Sequence, residues 1–200
     1  MYLLQRRSAV IVLATLALVP VQAATVSPQT AEVFSQKIAL IRGQGDSGVS
    51  GRTRLTEDEM NSWFLYRGER WQELVPRGVA QPKVTIVGEG QVAAAAVVDL
   101  DAVAKRRSSG GSLDPLSLIG GTVPVSVLGV LHTGGGRARF EVQSAQISGI
   151  PVPVTVLQEL VGYYSRTPER PEGLRLDQTF ALPSGIRQVE IGRGQVVVVQ

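Results

Sequence analysis

Alternating apolar residues around glycine-rich turns, interspersed with stretches of helical period, predict an α+β fold. The expected architecture is a curved, mainly antiparallel sheet of three hairpins with two or three helices packed on one face. Two observations carry this. Segments 84–101, 122–147 and 186–199 each contain two period-two runs joined by a Gly-rich turn. Segments 28–41, 56–66 and 154–165 instead repeat their apolar residues at helical spacing, each behind a helix-start signal.

The chain opens with Arg6 and Arg7, an uncharged run from Ser8 to Val19, then Pro20 and the small-residue site Val21-Gln22-Ala23. This is the pattern of a secretory signal peptide. Its core of about a dozen residues is shorter than the roughly 20 needed to span a bilayer. Residues 1–23 are therefore expected to be cleaved near Ala23. That leaves an exported domain, 24–200, in the periplasm or outside the cell. It divides into an N-terminal helix and mobile loop (24–51) and a sheet/helix core (52–200). Removing the leader leaves 18 basic residues against 17 acidic ones, a net +1. Such a balance lacks the basic stripe that nucleic-acid binding requires. With no cysteine, packing rather than disulfides must hold an exported chain together, and lipoprotein-type acylation has no acceptor. One histidine and no thiol give a soft or borderline metal almost no ligands, so neither metal nor cofactor is expected.

Ser27-Pro28 reads as an N-cap and first helical position, with Ala31, Phe34, Ile38 and Ile41 on one stripe and Gly43 as the stop. Arg42–Gly51 reads as a mobile loop and Val49–Leu55 as a strand. Thr56 and Glu59 form a T-x-x-E capping box, and Glu57, Asp58 and Glu59 place negative charge at the positive end of the helix dipole. Leu55 and Met60 sit at hydrophobic-staple positions. Met60, Trp63 and Phe64 share a face, with Tyr66 and Trp71 close by. In the strand 92–101, Val92, Ala94, Ala96, Val98 and Leu100 point one way, Ala93, Ala95, Val97, Asp99 and Asp101 the other. Four consecutive alanines are poor strand formers; they admit a helix or an elongated ligand close to the sheet. After the Gly/Ser-rich connection Lys105–Gly121, Arg137–Ile147 alternates with Ala138, Phe140 and Val142 inward. Pro124 suggests an edge strand or a bulge. Val154, Leu157, Leu160, Val161 and Tyr164 give the last helix a broad apolar face, ending before Pro168.

Several motifs tempt. Gly43-Gln44-Gly45-Asp46-Ser47-Gly48 spells G-x-G-x-x-G but follows a helix, where a dinucleotide site needs a strand. Gly45-Asp46-Ser47-Gly48 resembles the nucleophile segment of trypsin-like proteases, yet the one histidine, His132, follows it in the wrong order beside a Gly-rich turn. Asp99 and Asp101 are the candidates for paired carboxylates, against a wet strand edge leading into a polar loop. The pairs Arg52/Arg54 and Arg137/Arg139, with Lys105-Arg106-Arg107, are candidates for anionic headgroups or phosphate, against a solvated surface.

The run Leu55-Thr56-Glu57-Asp58-Glu59-Met60-Asn61-Ser62-Trp63-Phe64, read as L-T-E-x-E-x-N-x-x-aromatic, resembles the first helix of small exported bacterial domains of the YceB and YpmS kind. The V-P-x-G-V piece at Val75–Val79, the strand ending Val98-Asp99-Leu100-Asp101 and Ile150-Pro151-Val152-Pro153 before a helix follow in a similar order. Two features depart from that pattern: the lipoprotein cysteine is missing, and Lys105–Gly121 has no counterpart. The resemblance implies a tubular lipid-binding (TULIP)-like fold, a curved sheet wrapping a helix around an acyl-chain groove, and it brings no catalytic residues.

Two functions follow. The first is a non-catalytic module binding a lipid or other apolar molecule in a groove lined by Met60, Trp63, Phe64, Ala94, Val98, Leu157, Leu160 and Tyr164. The alternative is an envelope structural or protein-interaction domain with a closed core, working through strand addition or charge. An enzyme would require an unrecognised carboxylate or Ser-Lys site.

Overall fold

The computed structural model describes residues 26–67, 78–105, 121–166, 171–173 and 175–200. The leader, Trp71, residues 75–77 of the V-P-x-G-V piece, Arg106 and Arg107 with the connection that follows them, and Pro168 lie outside the described residues.

Helix α1 spans Pro28–Ser47; the Ser27 hydroxyl accepts from the Thr30 N–H, and Pro28 needs no donor there. It does not stop at Gly43 but continues to Gly48, whose left-handed backbone (φ 65°) makes the C-cap. The reason is tertiary. Gly45 lies against the Ser184 backbone, where a β-carbon would collide with the Ser184 carbonyl. Close packing there offsets the roughly 1 kcal/mol that glycine costs a helix.

Strand β1, Arg52–Thr56, leads directly into α2, Glu57–Tyr66. A first hairpin follows, β2 (Val79–Gly88) and β3 (Gln91–Asp99). Its Glu89 (φ 54°) and Gly90 (φ 82°) are both left-handed, as a twist-matched two-residue turn requires. The expected strand to Asp101 ends at Asp99, whose carboxylate accepts the Ala102 N–H at 2.9 Å and starts the short helix α3, Leu100–Lys105. The second hairpin pairs β4 (Thr122–Gly134) with β5 (Arg137–Ile147) through Gly135 and Gly136, both again at positive φ. A turn at Ser148-Gly149 leads to β6 (Ile150–Pro151), then to α4 (Val154–Tyr164) and the short β7 (Phe180–Ala181). The third hairpin is β8 (Gln188–Gly192) and β9 (Gln195–Val199).

The fold is α+β with antiparallel pairing throughout, as the patterning predicts, but the strands form two sheets. The larger runs β2-β3-β4-β5-β6, with β7 also on β5. The smaller is β1-β9-β8. The third hairpin is claimed by β1 because Thr53 pairs with Val198 and Leu55 with Val196, four residues buried on one face. Pro124 lies in a central strand, not at an edge or bulge. Its carbonyl accepts from Ser148 N–H, so the side on which proline lacks a donor faces the turn where β5 has already ended.

The tightest core joins the small sheet to α1 and the start of the large one. Ile41, Leu55, Ile86, Val196 and Val198 are buried there, with Phe34, Ile38, Met60, Val84, Ile186, Val189 and Ile191 around them.

Candidate functional site

The acidic, asparagine-bearing start of α2 is a clamp on a sheet edge. Thr56 Oγ1 accepts from Glu59 N–H, and the Glu59 carboxylate accepts from Thr56 N–H, which completes the capping box. Lys37 from α1 closes on Glu59 at 2.6 Å. Glu57 reaches across to accept the Ile86 N–H at 2.7 Å. The Asn61 amide both donates to the Val84 carbonyl and accepts from its N–H, each at 2.8 Å. Glu57 and Asn61 thus satisfy the outer edge of β2 that a further strand would otherwise pair. Composition explained Glu57 by the dipole alone; its second duty, and all of Asn61's, depends on a strand some 25 residues later.

On β5 the large sheet has one wet and one apolar face, whereas on β3 and β4 the opposite face also carries Ala93, Ala95, Val97, Leu128 and Val130. The strand registers pair Val92, Ala94, Ala96 and Val98 of β3 with Gly129, Val127, Val125 and Val123 of β4. Ala138, Phe140, Val142, Ala145 and Ile147 of β5 continue that face. Alternation on β5 survives because Gln143 is an extra residue opposite Leu128–Gly129, so Gln143 and Ser144 both face water and the apolar positions resume in phase. Gly129 leaves room for the Phe140 ring, which a β-carbon would strike. At the end bearing both hairpin turns this face is closed by the small sheet, through Ile86 and through Thr133, which exchanges hydrogen bonds with the Val189 backbone. Elsewhere cover is thin. Val98, Val123, Val125 and Val127 are only half-buried, and Ala94 is exposed.

Helix α4 lies over β5. Leu157 is buried and Leu160 half-buried, while Val154 and Val156 are 39% and 43% exposed. Between α4 and β5 opens a pocket of about 320 Å³, lined by Phe140, Val142, Val154, Gln158 and Leu176. Arg139, Glu141, Thr155, Arg175 and Asp177 line it as well. Arg175 hydrogen-bonds Asp177 and holds that carboxyl below its ordinary range. A second cavity of about 540 Å³ involves Val156, Leu160, Tyr163 and Arg166 of the same helix.

The expected groove residues fall into two groups. Met60 packs against the closed core, and Trp63 stacks 5.7 Å from both Phe34 and Phe64 in the α1–α2 contact. These three line no cavity at α4. Ala94 and Val98 lie on the half-open sheet face, Leu157 and Leu160 on α4; Tyr164 closes that helix. α2 sits on β2 and α4 on β5, three strands apart, or about 14 Å at ordinary strand spacing. Phe140, Val142, Gln158 and Leu176 were missed as lining residues; the inward phase of Phe140 and Val142 was visible, their pairing with α4 was not.

The tempting motifs resolve into structural roles. Gly43–Ser47 is helical, which removes the loop a phosphate cradle needs, and Ser47 Oγ donates to the Gly43 carbonyl. Asp99 caps α3 and Asp101 accepts the Gly121 N–H. His132 and Arg139 both meet Glu141 on the wet face, and Arg52 is paired bidentately with Glu190. Among the described residues no three His, Cys, Asp or Glu side chains converge as a metal site would require, and no helix is long and apolar enough to cross a membrane. No family model, curated protein or solved structure matches the chain.

Proposed function

We propose that the chain is an exported, non-catalytic binder of a lipid or another elongated apolar molecule, held against the apolar face of the large sheet beside α4. The observation that carries this reading is the half-covered face itself: β3, β4 and β5 present Ala, Val, Leu and Phe at successive inward positions, yet Ala94 is exposed and its neighbours are only half-buried. Soluble proteins rarely leave a contiguous apolar patch of that kind without a use. The short alanine side chains leave depth for a chain to lie along β3. The pockets beside α4 are lined by apolar side chains with a few polar and charged ones among them, the usual make-up of a small-molecule site. The leader read from residues 1–23 supports action outside the cytoplasm.

Native mass spectrometry of protein purified without detergent tests this. Co-purifying lipid, or saturable binding of a fluorescent fatty acid, is the expected result. Ala94→Trp, which fills the face between Val84 and Val127, should weaken that binding at least five-fold, with the urea midpoint measured alongside to show that the fold is kept. Recovery of bare protein that takes up no fatty acid would refute the reading.

A further inference from the structure

The large sheet ends in a strand that is interrupted. Ile150 and Pro151 pair antiparallel with Ile147 and Gln146, and the Val152 N–H continues to the Ala145 carbonyl at 2.9 Å. The chain then departs into α4. It rejoins the same line, in the same direction, with Phe180 opposite Ala138, Ala181 opposite Arg137, and Leu182 N–H on the Gly136 carbonyl at 2.8 Å. Between these two stubs the outer edge of β5, residues 139–144, pairs with no strand among the described residues.

The orientation of that edge follows from the hairpin. A two-residue turn at Gly135-Gly136 turns the backbone groups of Arg137 toward β4, so by alternation those of Phe140 and Val142 point outward into the gap. The segment 175–177 lines the pocket beside the gap without pairing with β5, and its Leu176 N–H is given to the Gln158 side chain at 2.6 Å. The 320 Å³ pocket lies at this place.

We infer that the gap between β6 and β7 binds an extended peptide, which completes the interrupted strand antiparallel to β5. Two outward N–H and two outward C=O groups, from Phe140 and Val142, supply main-chain recognition. The stubs fix the direction, and their separation fixes the length at five or six residues, about 20 Å. Side chains opposite Phe140 and Val142 enter the apolar pocket. Those opposite Arg139 and Glu141 lie on the wet face, where a basic residue opposite Glu141 and, two positions later, an acidic one opposite Arg139 complement them. The bulge at Gln143–Ser144 and the flanking stubs keep the edge too short for two copies of this sheet to pair.

The probe is a fluorescein-labelled pentapeptide, Thr-Val-Lys-Val-Glu, written in the antiparallel direction, titrated by anisotropy into the full chain, with a scrambled order as control. Saturable binding, with amide shifts centred on Phe140 and Val142, is expected. Val142→Pro removes an outward N–H without touching the β4 ladder and should weaken binding at least ten-fold. The double exchange Arg139→Glu with Glu141→Arg should move preference to Thr-Val-Glu-Val-Lys, a change that mere structural damage would not produce. It decides the matter alone if the proline variant does not fold. Equal binding of the scrambled peptide, no binding at millimolar concentration, or self-association of the chain through this edge would overturn the inference. The pocket beside α4 enters both readings, so Ala94→Trp on β3 separates them: it should lower fatty-acid binding and leave the pentapeptide's affinity within about two-fold.

Discussion

The two ends of the large sheet's apolar face are built from similar residues and finished differently. At the turn end, Ile86 is 2% exposed beneath the small sheet, α1 and α2. Toward the other end, Val127 and Ala94 carry the same pattern but face thin cover. The difference teaches that alternation specifies which face is apolar, not what lies on it. Cover comes from pairings distant in sequence, such as β1 with β9, and from side chains that reach across elements.

The sharpest way to break the comparison is to hollow out both ends. Ile86→Ala should cost about 3–4 kcal/mol, within the range for a buried Ile truncated to Ala, read as a lower urea midpoint with unchanged slope. A value under 1 kcal/mol would mean that the closed end is not closed. Next in size is Asn61→Leu, which strands the outward Val84 N–H and C=O. A loss of about 2 kcal/mol is expected, with faster hydrogen exchange at Val84. Thr56→Ala removes the N-cap acceptor and should cost about 1 kcal/mol. Smallest is Val127→Ala on the half-open end, at about 1 kcal/mol or less. If Val127→Ala proves as costly as Ile86→Ala, the open face is covered in solution and the binding proposal loses its ground.

Much of this fold could be read in advance where the signal is local. Two-residue turns such as Glu89-Gly90 and Gly135-Gly136 announce hairpins, and Thr56 with Glu59 announces a helix start, because each depends on residues a few positions apart. What escaped reading is non-local. Gly43 looked like a stop because nothing nearby says that Gly45 packs on Ser184. The split into two sheets depends on β1 meeting a strand some 140 residues later. Five of the eight expected groove residues, Ala94, Val98, Leu157, Leu160 and Tyr164, lie on the half-open face or on α4. Met60, Trp63 and Phe64 were grouped with it because an aromatic helix face looks alike whether it lines a cavity or fills a core.

The pairing of β1 with β9 also sets an order of events. Strands β2 to β5 are near neighbours in sequence and can assemble first, since short-range closure is quick. The closed end must wait for residues 195–199 to reach β1 across some 140 residues of chain. Until that pairing forms, Ile86 has α1 and α2 beside it but lacks Val196 and Val198, which makes this end of the sheet the part of the fold most open to premature association.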